Sequence, residues 1–225
     1  MSGAIAVFVK TPGLSPVKSR LAVSLGDQFA SSFHLASAGA VASVVKAAAG
    51  VVRVRGYFAV AEQEASNHAY WSALPCLWQG EGGLGERMAR VYHALLKEHD
   101  YVILIGADIP QVTAFDLLKA SDWLEHSEQA RFSFGPSSDG GFWLFGGNRP
   151  LPLNIWTDVT YSEVDTGSQF HSRIERLGDI QSLTVLTDVD KPGDLFLLHE
   201  SLHDLATPLP EQIELIRLLD ALPLN

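Results

Sequence analysis

The sequence predicts an α/β fold, a three-layer α/β/α sandwich built on a mostly parallel, mixed sheet. Three observations carry this. Short apolar runs rich in β-branched and aromatic residues alternate with longer segments whose apolar residues recur at helical spacing. The runs end in turn-forming residues, Thr11-Pro12-Gly13 after the first and Gly106 to Pro110 after a later one. A single hairpin signal late in the chain interrupts the alternation, and helices must then cover both faces of the sheet.

Taken in order, Ala4 to Val9 reads as a buried strand, and a helix follows at about 26–49 with Phe29, Phe33, Ala36, Ala40 and Val44 on one face. Tyr57 to Ala61 is a second strand, Glu62 to Trp71 a short helix, and Leu77-Trp78 ends a third strand. The glycine-rich loop "QGEGGLGER" leads into a helix with Met88, Val91, Tyr92, Leu95 and Leu96 aligned. Tyr101 to Ile105 is the next strand. Thr113, with Asp116 three residues on, caps the helix after it. "RFSFG" and "FWLFG" flank "PSSDGG" as a hairpin. "LTVLT" (183–187) is expected as the last strand, before a helix after "DVDKPGDL" and another near 211–221.

The 225 residues, 47% of them hydrophobic, suffice for one core, and no internal repeat or Pro/Gly/Ser-rich linker divides them. One domain over 1–225 is expected, with oligomeric state left open. A net charge of −10 opposes a nucleic-acid footprint. One cysteine, Cys76, excludes an internal disulfide. No basic segment leads into a long apolar one, and no apolar run approaches the roughly 18 residues of a membrane span. The expectation is a soluble, cytoplasmic protein.

In a parallel sheet, ligands bind where loops diverge at the carboxyl ends of the strands. Asp108 stands three residues past an apolar run, at that edge. A carboxylate there either helps to hold a divalent cation or opens a turn before Pro110. Lys18 and Arg20, in the loop after the first strand, form a compact cationic pair suited to a di- or triphosphate, or else a solvated surface loop. No glycine precedes Lys18, so this is not a Walker loop. Asp139 sits in an Asp-Gly turn, with Phe142 and Trp143 beside it as walls of an acceptor pocket, and Trp156 lies near Asp158 on the same expected side. Trp71, Trp78 and Trp123 read as core. Asp188 and Asp190 precede a helix and read as caps, which does not exclude metal binding by Asp190.

The blocks "VFVKTPGLSPVKSRLA", "QGEGGLGERM", "LIGADIP", "GPSSDGGFWLFG", "WTD" and "DVDKPGDL" resemble, in order and spacing, the radical-SAM/selenodomain-associated transferases of the nucleotide-diphospho-sugar transferase superfamily. The "VKSRL" loop also resembles that of phospholactate guanylyltransferases. The match spans roughly 4–198 and departs at Ser15, where a glycine is commoner, and at Gly83, where an acid is usual. The resemblance implies a GT-A-like nucleotide-binding fold. It also implies Mg²⁺- or Mn²⁺-dependent transfer from a nucleoside triphosphate or nucleotide sugar to a small-molecule acceptor.

On this analogy Asp108 and Asp190 hold the metal, and Lys18, Arg20, Asp108 and Asp139 are the catalytic group. Lys10, Pro12, Gln79, Gly85 and Arg87 join Lys18 and Arg20 around the nucleotide. Gly140, Gly141, Trp143 and Asp158 join Asp139 on the acceptor side. A non-catalytic nucleotide-binding module is the alternative with the same residues.

A rival string stands at His199 to His203, "HESLH", which matches the His-Glu-x-x-His pattern of zinc peptidases with Glu200 as general base. Leu195, Leu198, Leu202 and Leu205 give that helix an ordinary apolar face. No third histidine follows, leaving Glu211 or Glu214 beyond Pro208 and Pro210 as a further ligand.

Overall fold

The apolar runs become strands because their alternate residues bury on opposite faces of one sheet. A computed structural model describes residues 2–125 and 127–222. Its strands are β1 (Gly3–Val9), β2 (Val54–Val60), β3 (Cys76–Trp78), β4 (Tyr101–Gly106), β5 (Arg131–Pro136), β6 (Phe142–Gly147) and β7 (Asp179–Ser182). Their order across the sheet is β3-β2-β1-β4-β6-β5-β7. β6 runs antiparallel to both β4 and β5, and the remaining pairings are parallel.

The helices are α1 (Ser19–Leu25), α2 (Asp27–Ala49), α3 (Leu84–Leu96), α4 (Ala114–Leu124), α5 (Leu153–Thr157), α6 (Thr166–Ile174), α7 (Pro192–His203) and α8 (Pro210–Asp220). Two 3₁₀ turns, Gln63–Asn67 and Ala69–Trp71, replace the short helix expected after β2. On one face of the sheet, Ile5, Val7, Ile103 and Ile105 pack against Val41, Val45 and Leu117 of α2 and α4. On the other, Ala4, Ala6, Val102 and Leu104 meet Met88, Val91, Trp156 and Phe170 of α3, α5 and α6. This is the expected three-layer sandwich. A satellite core joins Leu21, Phe33, Leu195, Leu198, Leu202, Leu215 and Leu219, and so knits α1, α2, α7 and α8 together.

α2 corrects one expectation. By length and composition alone it could cross a membrane. Its Phe33, Ala38, Val41, Val44, Val45 and Ala48 are instead buried in the two cores just described.

The last strand is also displaced. β7 pairs with β5 at 179–182, and 183–187 continues along β5 irregularly, through hydrogen bonds from Leu183 N–H to the Phe134 carbonyl, from Leu186 N–H to the Pro136 carbonyl and from Ser138 N–H to the Leu186 carbonyl, with an isolated bridge between Ser137 and Leu186. The register of β5 shifts at Gly135/Pro136. Proline has no N–H to continue the ladder, so regular pairing stops there. Val185 is exposed as a result.

Candidate functional site

The carboxyl ends of β1 and β4 and the start of the antiparallel β6 open on one rim, where a cleft of about 720 Å³ lies. Three stretches distant in sequence build its centre.

The first is the loop after β1. Thr11 fixes it: its N–H donates to Glu62 Oε2 at 3.0 Å, its hydroxyl accepts from the buried Trp71 indole at 2.9 Å, and its carbonyl accepts from Leu14 and Ser15. The loop ends at Lys18, held in the left-handed region at φ 45°, from which α1 starts. That turn carries the Lys18 side chain inward, leaving it 5% exposed.

The second is the turn after β4. Its Ala107 carbonyl accepts from the buried Ser37 hydroxyl of α2. Asp108 follows, and its carbonyl accepts from Val189 N–H at 3.2 Å. This bond ties in the third stretch. The chain leaves the far sheet edge at β7, returns along the rim, and sets Asp188 and Asp190 beside Asp108.

Lys18 Nζ lies 2.8 Å from Asp108 Oδ2 and 3.5 Å from Asp190 Oδ1, and it also donates to the Val189 carbonyl. Arg20 Nη1 meets Asp190 Oδ2 at 3.1 Å. The two cations that the sequence assigns to phosphates thus pair with the two acids that it assigns to a metal. His34 of α2 backs the cluster. Its Nε2 lies 2.8 Å from the Lys10 carbonyl and its Nδ1 3.9 Å from Asp108 Oδ1. Burial holds its pKa below the ordinary histidine value, against the pull of Asp108.

The capping role expected of Asp188 and Asp190 belongs to Asp194, whose Oδ2 accepts from the N–H groups of Asp190 and Lys191 at 2.9 and 2.8 Å. Asp188 is free to face the cleft. Burial, reinforced by the charge of Asp139 and then of Asp190, pushes its pKa up to about 6, while Lys18 pulls the other way.

Asp108 Oδ1 and Asp188 Oδ1 are both buried without a hydrogen-bond partner. Orphaned hard oxygens beside further carboxylates are the donor set that Mg²⁺ or Mn²⁺ takes. Asp108, Asp188 and Asp190 do not converge within 4.8 Å as a closed cage. Mg²⁺ needs none, since it keeps several waters and binds through one or two carboxylates plus substrate phosphates. The residues fit the ion.

The other predicted residues divide. Lys10, Gln79, Arg87, Asp139, Gly141 and Trp143 line the cleft. The Gln79 amide is already committed to the Ala59 and Val9 carbonyls at 2.8 and 3.3 Å, and Arg87 Nε to the Gly82 carbonyl at 2.8 Å. Asp139 Oδ1 accepts from Gly141 N–H at 2.8 Å, and the Trp143 indole donates to the Thr184 carbonyl at 3.0 Å.

Pro12, Gly85, Gly140 and Asp158 are not among the cleft's lining residues. Pro12 borders a separate depression. Gly85 serves close packing, because a Cβ there would lie 2.2 Å from the Trp156 carbonyl of α5. Gly140 holds φ 91°, where a Cβ would lie 1.8 Å from the Val164 carbonyl, so it shapes the Asp139 turn. Asp158 is half exposed and lies 3.7 Å from Arg173. Trp156 is fully buried in the aromatic core with Tyr92, Phe145 and Phe170, off the acceptor side.

Sequence reasoning missed His34 and Arg90. His34 sits among apolar helix positions without a motif. Arg90 fastens the glycine-rich loop, donating to the Gln79 and Glu81 carbonyls at 2.9 and 2.8 Å. In the same loop Gly83 N–H is met by Glu86 Oε2 at 2.7 Å.

A mixed sheet of this order, with an acid-and-lysine cleft at the end of β1 and β4, has the nucleotide-diphospho-sugar transferase fold. It superposes on a Desulfovibrio desulfuricans G20 protein classed as a nucleotide-diphospho-sugar transferase with a TM-score of 0.84 at 23% identity, covering 98% of this chain and 96% of that one. A CMP:2-keto-3-deoxy-manno-octonic acid synthetase complexed with CTP matches at TM-score 0.57 and 11% identity, over 91% of this chain and 100% of the other. The 4-diphosphocytidyl-2C-methyl-D-erythritol synthase of Anaerococcus prevotii DSM 20548 matches at TM-score 0.54 and 10% identity, over 90% and 98%. Within this fold, residues 40–163 match the family described as "Uncharacterized protein conserved in bacteria (DUF2064)", and the chain belongs to that family. No curated protein sequence matches it.

Proposed function

We propose that the protein is a Mg²⁺- or Mn²⁺-dependent transferase that takes a nucleotide-activated donor and passes part of it to a small-molecule acceptor, acting in the cytoplasm. The observation that carries this reading is the cluster of Lys18, Arg20, Asp108 and Asp190, drawn from three distant stretches of the chain to one rim. The charge balance supports a metal as well. Five carboxylates (Asp108, Asp139, Glu163, Asp188, Asp190) face four cations (Lys10, Lys18, Arg20, Arg87) in the cleft before any phosphate enters. A polyphosphate entering so acidic a site needs further positive charge.

Asp108 and Asp190 would hold the ion, with Asp188 within reach, and the ion would supply charge neutralisation to the donor's phosphates. Lys18 and Arg20 exchange their carboxylate partners for phosphate oxygens and fix the donor for in-line attack. Asp139 faces the acceptor across the cleft.

Nucleotidyl transfer is the form we favour, because two of the three fold relatives above are named for the synthesis of cytidylylated products, the third being named only as a nucleotide-diphospho-sugar transferase. An acceptor phosphate oxygen then bonds to the α-phosphorus, the bond to the β-phosphate bridge breaks, and pyrophosphate leaves. In glycosyl transfer a hydroxyl attacks the anomeric carbon, Asp139 takes its proton, and a nucleoside diphosphate leaves. The resemblance of "VKSRL" to phospholactate guanylyltransferases supports the first form, and that of roughly residues 4–198 to radical-SAM/selenodomain-associated transferases supports transfer in general.

The test is a thermal-shift screen of nucleoside triphosphates and nucleotide sugars, with and without Mg²⁺ or Mn²⁺, on wild type and Asp108→Ala. Pyrophosphate release is then assayed with the donor identified. A ligand at about 100 times its dissociation constant stabilises the native state by about 2.7 kcal/mol. A metal-dependent shift lost in the variant supports the proposal. A nucleotide shift indifferent to metal and to Asp108 identifies a binding module without turnover, and no shift with any nucleotide overturns the reading.

A further inference from the structure

The string His199 to His203 lies outside the cleft, yet its imidazoles are not plain surface groups. They stand one turn apart on α7, and Asp220, the last residue of α8, reaches them. The ligand expected from Glu211 or Glu214 is thus Asp220 instead. His199 Nε2 is 2.7 Å from Asp220 Oδ1 and 3.2 Å from His203 Nε2, and His203 Nε2 is 3.6 Å from the same oxygen. Among the described residues this triangle brings three potential metal ligands within 4.8 Å of one another.

Hydrogen bonds among the three satisfy it only in part and leave the rest to water. A ring nitrogen is a donor or an acceptor, and an ionised carboxylate only accepts. If His199 Nε2 carries a proton, that proton goes to Asp220. The contact with His203 then sets two N–H groups face to face, or leaves His203 a share of one proton and a bare nitrogen towards Asp220. If His199 Nε2 is bare, a lone pair faces a carboxylate oxygen at 2.7 Å. One cation at the centre satisfies all three atoms together. Zinc bonds of about 2.0–2.1 Å in a tetrahedral shell set ligand atoms about 3.3 Å apart. The observed separations of 2.7, 3.2 and 3.6 Å bracket that spacing. Two imidazoles and one carboxylate suit Zn²⁺, whereas Mg²⁺ prefers an all-oxygen octahedron.

We propose that His199, His203 and Asp220 form a Zn²⁺ site separate from the cleft, with its fourth position open to water, which fastens the end of α8 to the last turns of α7. His203 and Asp220 are 52% and 51% exposed, so the ion has a path in. The clamp bears on the cleft through the helices it joins. α7 begins two residues after Asp190. α8 grips the turn beyond Asp108 through Gln212, whose buried amide donates to the Pro110 and Val112 carbonyls at 2.8 and 3.0 Å. A metal that locks α7 to α8 therefore stiffens both acid-bearing segments at once.

The test uses the full-length protein, stripped with a chelator and then titrated with Zn²⁺ by calorimetry and with Co²⁺ by visible absorption. The expected result is one equivalent of Zn²⁺, intense tetrahedral Co²⁺ bands and a Zn²⁺-dependent rise in Tm. All three should be lost in His199→Ala/His203→Ala and in the milder His203→Gln, and kept in Asp108→Ala. Absence of stoichiometric binding or of tetrahedral bands in the wild type, which needs no variant, overturns the proposal. So does binding that survives in both histidine variants. Because the cleft plays no part in these readouts, a failure of the transferase reading leaves them unchanged.

Discussion

Lys18→Met tests the central ion cluster directly. The change keeps the length of the side chain and its Cβ, so the cost of the left-handed backbone at φ 45° is the same in both proteins. What disappears is an ammonium 2.8 Å from Asp108 and 3.5 Å from Asp190. Breaking a fully buried pair costs about 3–5 kcal/mol. Lys18 is 5% exposed but its partners are 38% and 43% exposed, so water screens part of the loss. About 2 kcal/mol is the expected figure after that discount. For a chain of this size it corresponds to a fall in Tm of about 4–8 °C in chelator.

The same ammonium competes with any divalent cation for Asp108 Oδ2 and Asp190 Oδ1. Removing a competitor worth about 2 kcal/mol tightens cation binding by up to about thirtyfold. Tm followed against Mg²⁺ concentration should therefore start lower in Lys18→Met and respond at lower Mg²⁺ than in the wild type, while the response to nucleoside triphosphate weakens. Lys18→Gly serves as a companion, since it also relieves the left-handed strain and should lose less stability than Lys18→Met. If Lys18→Met matches the wild type in both starting Tm and Mg²⁺ midpoint, the ammonium does not hold these acids in solution and the reasoning fails.

Asp188→Asn should stabilise the metal-free protein at pH 7. With its carboxyl raised from 3.8 to about 6, the native state keeps a proton that the unfolded chain has already released. Stability is therefore greatest below about pH 4 on this account and falls as pH rises to about 6, a loss of about 1–2 kcal/mol once solvent screening of this partly exposed group is allowed for, which the amide avoids. Denaturation of both proteins in chelator between pH 4 and 7.5 checks it, and parallel curves would count against it. Gln212→Ala strips the Pro110 and Val112 carbonyls of their buried donor, and a loss of about 2 kcal/mol in chemical denaturation is expected, together with weaker Mg²⁺ binding at Asp108. An unchanged Mg²⁺ midpoint would show that the turn keeps its position without the glutamine.

The elements legible in the sequence are those whose local pattern and tertiary role agree. β1 and β4 are runs buried on both faces, Thr113 and Asp116 cap α4 reciprocally, and the Asp-Gly turn of the β5–β6 hairpin announces itself. α1 was hidden because it buries only Leu21 along seven residues and starts from an unusual backbone conformation. The rim path of 183–190 was hidden too, because a proline in another strand, Pro136 of β5, ends the regular pairing that would have carried it on. Lys18, Arg20, Asp108 and Asp190 were each readable as chemistry-bearing residues. Their mutual pairing was not, since it depends on where the chain returns after β7. Asp188 was misread as a cap because Asp194, which does that work, lies in the same acidic stretch.

Lys18 and Asp190 stand 172 positions apart, and Val189 N–H closes the rim on Asp108. Synthesis therefore delivers the loop after β1 and the turn after β4 long before the acids that complete the cluster. A nascent chain halted before residue 188 holds all seven strands but lacks Asp188 and Asp190, so the sheet is complete in sequence before the rim cluster can close.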